Sequence, residues 1–224
     1  VEPLNSRSAA NREELVSQIV NRYNGSLFAG ARQNEYPGMI PGFPRTPDDG
    51  PDTIQSLALP SYRSELLFEN YKLEDIATEE FPADTLTRID EQLHAMIEDA
   101  KSRLTSESYS VADEIHMSGF SSSANFSSRF AFLYPNKVRT LTLGGHPLVP
   151  LPKDSHEDIS LPYPLGTADY EEFTGREFDT EAWADINQYI YLGEEDQPLP
   201  DTDSVGYYNT IRYQDKAETV FGIN

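Results

Sequence analysis

Apolar and polar positions alternate with a helical period over one long stretch of the chain. From about 84 to 104, Ile89, Leu93, Met96, Ile97, Ala100 and Leu104 share one side, while Asp90, Glu91, Glu98, Asp99, Lys101 and Arg103 largely fill the other. Such a stripe predicts an amphipathic helix lying on a sheet. After it, Val111 to Met117 carries the β-branched and apolar residues of a buried strand. Ala124, Phe126, Phe130, Ala131 and Leu133 then return to helical spacing, and Tyr134-Pro135 stops that helix because proline lacks the N–H and clashes with the preceding turn. Val138 to Leu143 reads as the next strand, closed by Gly144-Gly145, and Tyr189 to Gly193 as another.

Weaker patterns flank these elements. Leu15, Ile19, Val20 and Tyr23 predict an amphipathic helix over 8–23, ended by Asn24-Gly25. A short strand with irregular edges is expected over 36–43, and a surface loop over 45–60, where Pro, Asp and Thr concentrate. Between 146 and 186, prolines alternate with aromatic and acidic residues, which predicts an irregular excursion with one short helix near 180–187. An acidic connection over 194–204 precedes a weak helical close at 213–221.

The order helix, strand, helix, strand, excursion, strand is that of an α/β protein: a predominantly parallel central sheet flanked by helices. One domain is expected over 1–224, with its core at 8–145 and 187–224 and a lid-like excursion, 146–186, over the carboxyl edge of the strands.

Charge narrows the partners. The 224 residues include 38 acidic and 17 basic ones, a net charge of -21, with no basic run. Nucleic acid and anionic membrane would be repelled, so neither is expected as a partner. The acids are scattered along the chain instead of forming a tail, which points to a halophilic surface adapted to molar salt. Cysteine is absent, which excludes disulfides and thiolate metal sites. With no apolar run near the length of a membrane span, a soluble chain is expected, cytoplasmic in preference to other compartments.

Candidate chemistry centres on Gly119-Phe120-Ser121-Ser122-Ser123, at the junction of a strand and a helix. A serine on such a sharp turn has its hydroxyl lifted above the sheet edge, and the following backbone N–H and the helix N-terminus face developing negative charge. Ser121 is therefore the candidate nucleophile, with the N–H of Ser122 an oxyanion donor. A second signal follows the strand at 189–193. Asp196, in Gly193-Glu194-Glu195-Asp196, would leave the same edge of the sheet, where a carboxylate steadies the imidazolium formed when histidine takes the serine proton.

These two motifs, with Arg129-Phe130-Ala131 and Tyr134-Pro135 after the first, make the chain resemble the α/β-hydrolase family of serine esterases, its polyester-depolymerase-like and uncharacterised esterase members above all. The resemblance spans roughly 8–200. It implies Ser121 as nucleophile, Asp196 as triad acid and Ser122 N–H in the oxyanion hole, acting on a small or polymeric ester with neither metal nor cofactor. Peptide hydrolysis stays open, because a triad does not choose between ester and amide. Tyr163, Tyr170 and Phe173 would form an apolar wall against the substrate, whereas Trp183 is expected to pack. Oligomerisation, with strands supplied by a second chain, is a further expectation.

Two departures from the family pattern stand out. The family's histidine follows its acid, yet His94, His116, His146 and His156 all precede Asp196. The glycine-rich oxyanion loop would precede the first helix, where only residues 1–6 lie. Both losses are terminal, and they imply a chain corresponding to the middle of a longer hydrolase, or else a naturally short member that kept the fold and lost catalysis. His146, just beyond Gly144-Gly145, is the histidine placed to act as base. The competing class is a non-catalytic binding or structural protein on the same fold.

Overall fold

A computed structural model describes residues 30–31, 33–41, 88–120, 122–145 and 149–194. The predicted helices at 8–23 and 213–221, the loop at 45–60 and the acidic connection beyond 194 lie outside these residues. Along the described chain come α1 (Ile89–Ser106), β1 (Ile115–Phe120), α2 (Ser122–Leu133), a 3-10 turn (Pro135–Lys137) and β2 (Val138–Gly144). Then follow β3 (Ser155–His156), β4 (Ile159–Ser160), α3 (Tyr170–Thr174), α4 (Thr180–Asp185) and β5 (Asn187–Tyr191). Strands β1, β2 and β5 form one parallel sheet in that order, and β3 and β4 a separate antiparallel hairpin. The α/β class with a parallel sheet and flanking helices is thus as the pattern predicts.

Helix α1 begins with Asp90 and Glu91 and carries Arg103 in its last turn, charges that complement the helix dipole at each end. Its buried stripe is Ile89, Leu93 and Ile97; Met96 lies more to the outside, 37 % exposed. It stops where Ser108 takes a left-handed conformation (φ 69°), which lets the Tyr109 N–H reach back to the Leu104 carbonyl at 3.0 Å. The expected strand from 111 begins only at 115, after a bend at Asp113-Glu114, where Lys101 Nζ donates to the Asp113 carbonyl. β1 also alternates between partly buried and exposed positions instead of being buried on both faces. Residues 36–41 form no strand, as Pro37, Gly38 and Pro41 would suggest of a chain poor in N–H donors and regular dihedrals.

Helix α2 is the centre of the core. Every residue from Ala124 to Leu133 is buried, including Asn125, Ser127, Ser128 and Arg129. A helix enclosed on all sides has the sheet against one flank and other chain against the rest. Here one hydrophobic cluster joins Phe126, Phe130 and Phe132 of α2 to Leu141 and Leu143 of β2, to Ile89, Leu93 and Ile97 of α1, and to Tyr163, Tyr170 and Trp183 of the excursion.

The β2-to-β5 connection must return from the carboxyl edge of the sheet to its amino edge, because the two strands run parallel. Among the described residues of that connection no helix exceeds the 6 residues of α4. Leu161 and Leu165 form a small core of their own with Leu151 and Ile159. Phe132 meets Phe178 at 4.5 Å and Trp183 edge-on at 5.2 Å. The Tyr170 hydroxyl and the Arg176 guanidinium both donate to the Leu133 carbonyl, at 3.0 and 3.1 Å, satisfying the open C-terminus of α2 with a cation where the dipole favours one. Asp179 caps α4 by accepting the Ala182 N–H at 2.8 Å.

These anchors fix where the excursion meets α2. Helix α2 has 12 residues and spans about 18 Å. Its C-terminus, where the excursion docks, lies at the opposite end from the turn after β1. From Tyr163 to Ile186 the crossover packs Tyr163, Tyr170, Trp183 and Ile186 into the core.

Candidate active site

The three parallel strands end abreast. Phe120, the last residue of β1, lies beside Gly144 of β2, and Gly144 beside Tyr191 of β5. Neighbouring strands are about 4.8 Å apart, so the segments leaving these ends emerge side by side at one edge. They are the segments that carry the candidate residues. Ser121 follows Phe120 directly, His146 stands two residues beyond Gly144, and Asp196 five beyond Tyr191. Ser121, His146 and Asp196 themselves lie outside the described residues, as does the Ser122 side chain; the Ser122 backbone opens α2.

The turn between β1 and α2 is as tight as a backbone permits. A Cβ added at Gly119 would sit 2.2 Å from the Ser123 carbonyl oxygen and 2.6 Å from the Ala124 nitrogen, both main-chain atoms. Only glycine lets the strand end lie against the first helical turn. Ser123 ties the same turn together: its hydroxyl donates to the Phe120 carbonyl at 2.7 Å and accepts the Phe120 N–H at 2.9 Å. The N-terminus of α2, a helix buried from Ala124 onward, therefore lies against the end of β1. The positive end of the helix dipole lies there, a setting that favours an anion.

Beside this turn is an aromatic surface that the sequence reading did not single out. Residues in register share a face, so His116, Ser118 and Phe120 align with Thr140, Thr142 and Gly144, and these with Asn187, Tyr189 and Tyr191. Phe120 and Tyr191 meet at 6.3 Å above Gly144, where a Cβ would lie 2.4 Å from the Tyr191 ring and 2.7 Å from Phe120. Tyr189 stacks on Tyr191 at 5.9 Å. Both Phe120 and Tyr191 are about 40 % exposed. The signal was present as the Tyr-x-Tyr spacing of a strand and the glycine opposite it, but only the register joins them to Phe120.

The rings expected to wall the substrate are elsewhere. Tyr163 and Tyr170 are buried in the core, and Phe173 stacks on Tyr163 at 5.1 Å under the Arg88 guanidinium. Burial pushes the Tyr163 and Tyr170 hydroxyls above the usual tyrosine range. Burial, and next the charge of Asp90, does the same for Tyr134. An acidic depression of about 480 Å³, lined by Asp154, Asp169, Glu171, Glu172 and Glu177, also belongs to the crossover and not to the strand edge. Among the described residues no group of His, Asp and Glu is arranged to hold a metal ion, and no helix is long and apolar enough to cross a membrane.

Three histidines can be placed, and none is at the strand edge. His94 stacks on Tyr134 at 5.0 Å, and His116 bonds Thr140 Oγ1 at 2.7 Å within the sheet. His156 pairs with Lys153 at 2.7 Å in the β3–β4 hairpin. Compared with protein-family models, with curated proteins and with solved structures, the chain returns no match.

Proposed function

We propose that the chain is a serine hydrolase of the α/β-hydrolase type, acting on a carboxylic ester through Ser121. The observation that carries this reading is the contact at Gly119: the end of β1 and the first turn of α2 lie so close that a Cβ there would meet main-chain atoms of Ser123 and Ala124, the packing for which a nucleophile elbow keeps its glycine. On a strand-to-helix turn of this kind a serine hydroxyl is lifted onto the sheet edge. In the proposed reaction Ser121 Oγ attacks the ester carbonyl carbon as a base takes its proton. The oxyanion is held by the Ser122 N–H, the alcohol leaves with the proton, and water then cleaves the acyl-enzyme. Asp196, five residues past the end of β5, is assigned to orient the base, and His146 is the histidine assigned as that base. Phe120 and Tyr191 offer the apolar surface against which an acyl chain or alcohol would lie.

A second reading, a binding protein that keeps the fold without catalysis, is favoured by one observation: His94, His116 and His156 each have partners away from the strand edge. Fluorophosphonate labelling in molar KCl separates the two, with Ser121→Ala and a denatured sample as controls. Rapid labelling confined to native Ser121, together with Ser121-dependent hydrolysis of short p-nitrophenyl esters, is the expected outcome. A folded chain that leaves Ser121 unmodified refutes the hydrolase reading in favour of binding.

A further inference from the structure

We infer that Ser123 is a positioning residue for the proposed nucleophile, holding the peptide from which Ser121 hangs; the inference rests on the hydrolase reading. The argument starts from the geometry of one residue. On a strand, the N–H and C=O of a residue point to the same side, and at Phe120 both are taken by a single hydroxyl, at 2.9 and 2.7 Å. The N–H belongs to the peptide plane before Phe120 and the C=O to the plane after it. Fixing both planes fixes both backbone dihedrals of Phe120, and the second plane is the one bonded to Ser121.

The need for such a clamp follows from the neighbours. A residue one past a strand end has lost the ladder that orients it, and Gly119 lends no side chain to hold the turn. In the family pattern the position two past the nucleophile is a glycine, whose role is to leave room. Here the space on that side is open enough for an exposed serine, and its hydroxyl uses both its donor and its acceptor capacity on the chain it faces. A mispositioned nucleophile is costly, because attack demands the reacting atoms near 3 Å and aligned. A clamp that fixes the approach of Ser121 would act on the chemical step and hardly on substrate binding.

Four proteins test this: wild type, Ser123→Ala, Ser123→Thr and Ser121→Ala. Two readouts are taken, ester hydrolysis resolved into kcat and KM, and hydrogen exchange at the Phe120 amide. Ser123→Ala is expected to lower kcat by about ten-fold, the scale of one hydrogen bond, with KM little changed and Phe120 exchange accelerated by a similar factor. Ser123→Thr, which keeps the hydroxyl, should restore both. Equal Phe120 exchange in wild type and Ser123→Ala overturns the clamp even if the hydrolase reading stands. Unchanged kcat in Ser123→Ala, or a loss that threonine does not rescue, overturns the positioning role. Wild-type hydrolysis that survives Ser121→Ala removes the hydrolase reading and the catalytic role of Ser123 with it, whatever the exchange shows.

Discussion

Replacing Gly119 by alanine tests the tightness of the turn directly. The added Cβ would meet the Ser123 carbonyl oxygen at 2.2 Å, whereas ordinary contact begins near 3.4 Å. The opposing atoms are main chain, so no side chain can swing aside, and the first turn of α2 must withdraw from β1 by about an ångström. Overpacking of this kind costs about 2 kcal/mol, which for a domain of this size lowers the melting temperature by about 4–8 °C. The effect on reactivity should be larger in proportion, because a displacement of about 1 Å at a reacting group costs on the order of 100-fold in rate. Gly175→Ala is the matched control: its residue has φ +70° and open space around it, so it suffers dihedral strain of about 1–2 kcal/mol with no clash, at the end of α3 and away from the strand edge. Melting by circular dichroism and the rate of fluorophosphonate labelling would be measured for both variants. Gly119→Ala should lose stability and labelling together, Gly175→Ala stability alone. A Gly119→Ala protein with unchanged melting and labelling would refute the close approach. An equal loss of labelling in both variants would show that labelling follows general loosening and not the turn.

Four further outcomes are expected. Phe132→Ala, which removes the ring that contacts Tyr170, Phe178 and Trp183, should cost about 3–5 kcal/mol in urea unfolding, followed through the single tryptophan; a loss under about 1 kcal/mol would place that cluster outside the cooperative core. Asp90 accepts from Arg88 Nε and a terminal guanidinium nitrogen at 3.0 and 2.8 Å and from the Tyr134 hydroxyl at 3.0 Å, so Asp90→Ala should cost about 3 kcal/mol and Asp90→Asn less, and equal losses in the two would count against the hydrogen bonds. Tyr134, Tyr163 and Tyr170 hold their protons more tightly folded than unfolded, so their contribution is complete below about pH 10 and lost as pH rises through the raised folded values; tyrosinate absorbance should therefore climb together with unfolding, and independent titration of every tyrosine in a still-folded chain would contradict the burial. With a net charge of -21, stability should rise with added KCl as self-repulsion is screened, and a midpoint of unfolding indifferent to salt would argue against a halophilic surface.

Local signals carried most of the secondary structure. The stop at Tyr134-Pro135 was legible because proline acts on its own neighbours, and the stripe of α1 because burial of Ile89, Leu93 and Ile97 needs only helical spacing. Strand β1 starts four residues later than its apolar pattern predicts, because the bend at Asp113-Glu114, tied to α1 by Lys101, sets where pairing begins. The hairpin β3–β4 and helix α3 are too short to leave a period in the sequence. Tyr163 and Tyr170, expected as a wall against the substrate, are buried through partners that no local pattern reveals: Tyr170 donates to the Leu133 carbonyl at the end of α2, and Tyr163 stacks on Phe173.

By itself, then, the sequence determined the order of the longer elements, the run of small residues around 119–123 and the absence of thiol chemistry, since each depends on spacing, on residue size or on composition. The tertiary structure alone decided that Phe120, Gly144 and Tyr191 end side by side, that α2 is enclosed on every flank, and that the crossover docks at the far end of that helix. The physical reason is that register and docking are properties of pairs of segments: each is set by which surfaces exclude water together and which backbone groups satisfy one another, and neither is written in the pattern of one segment.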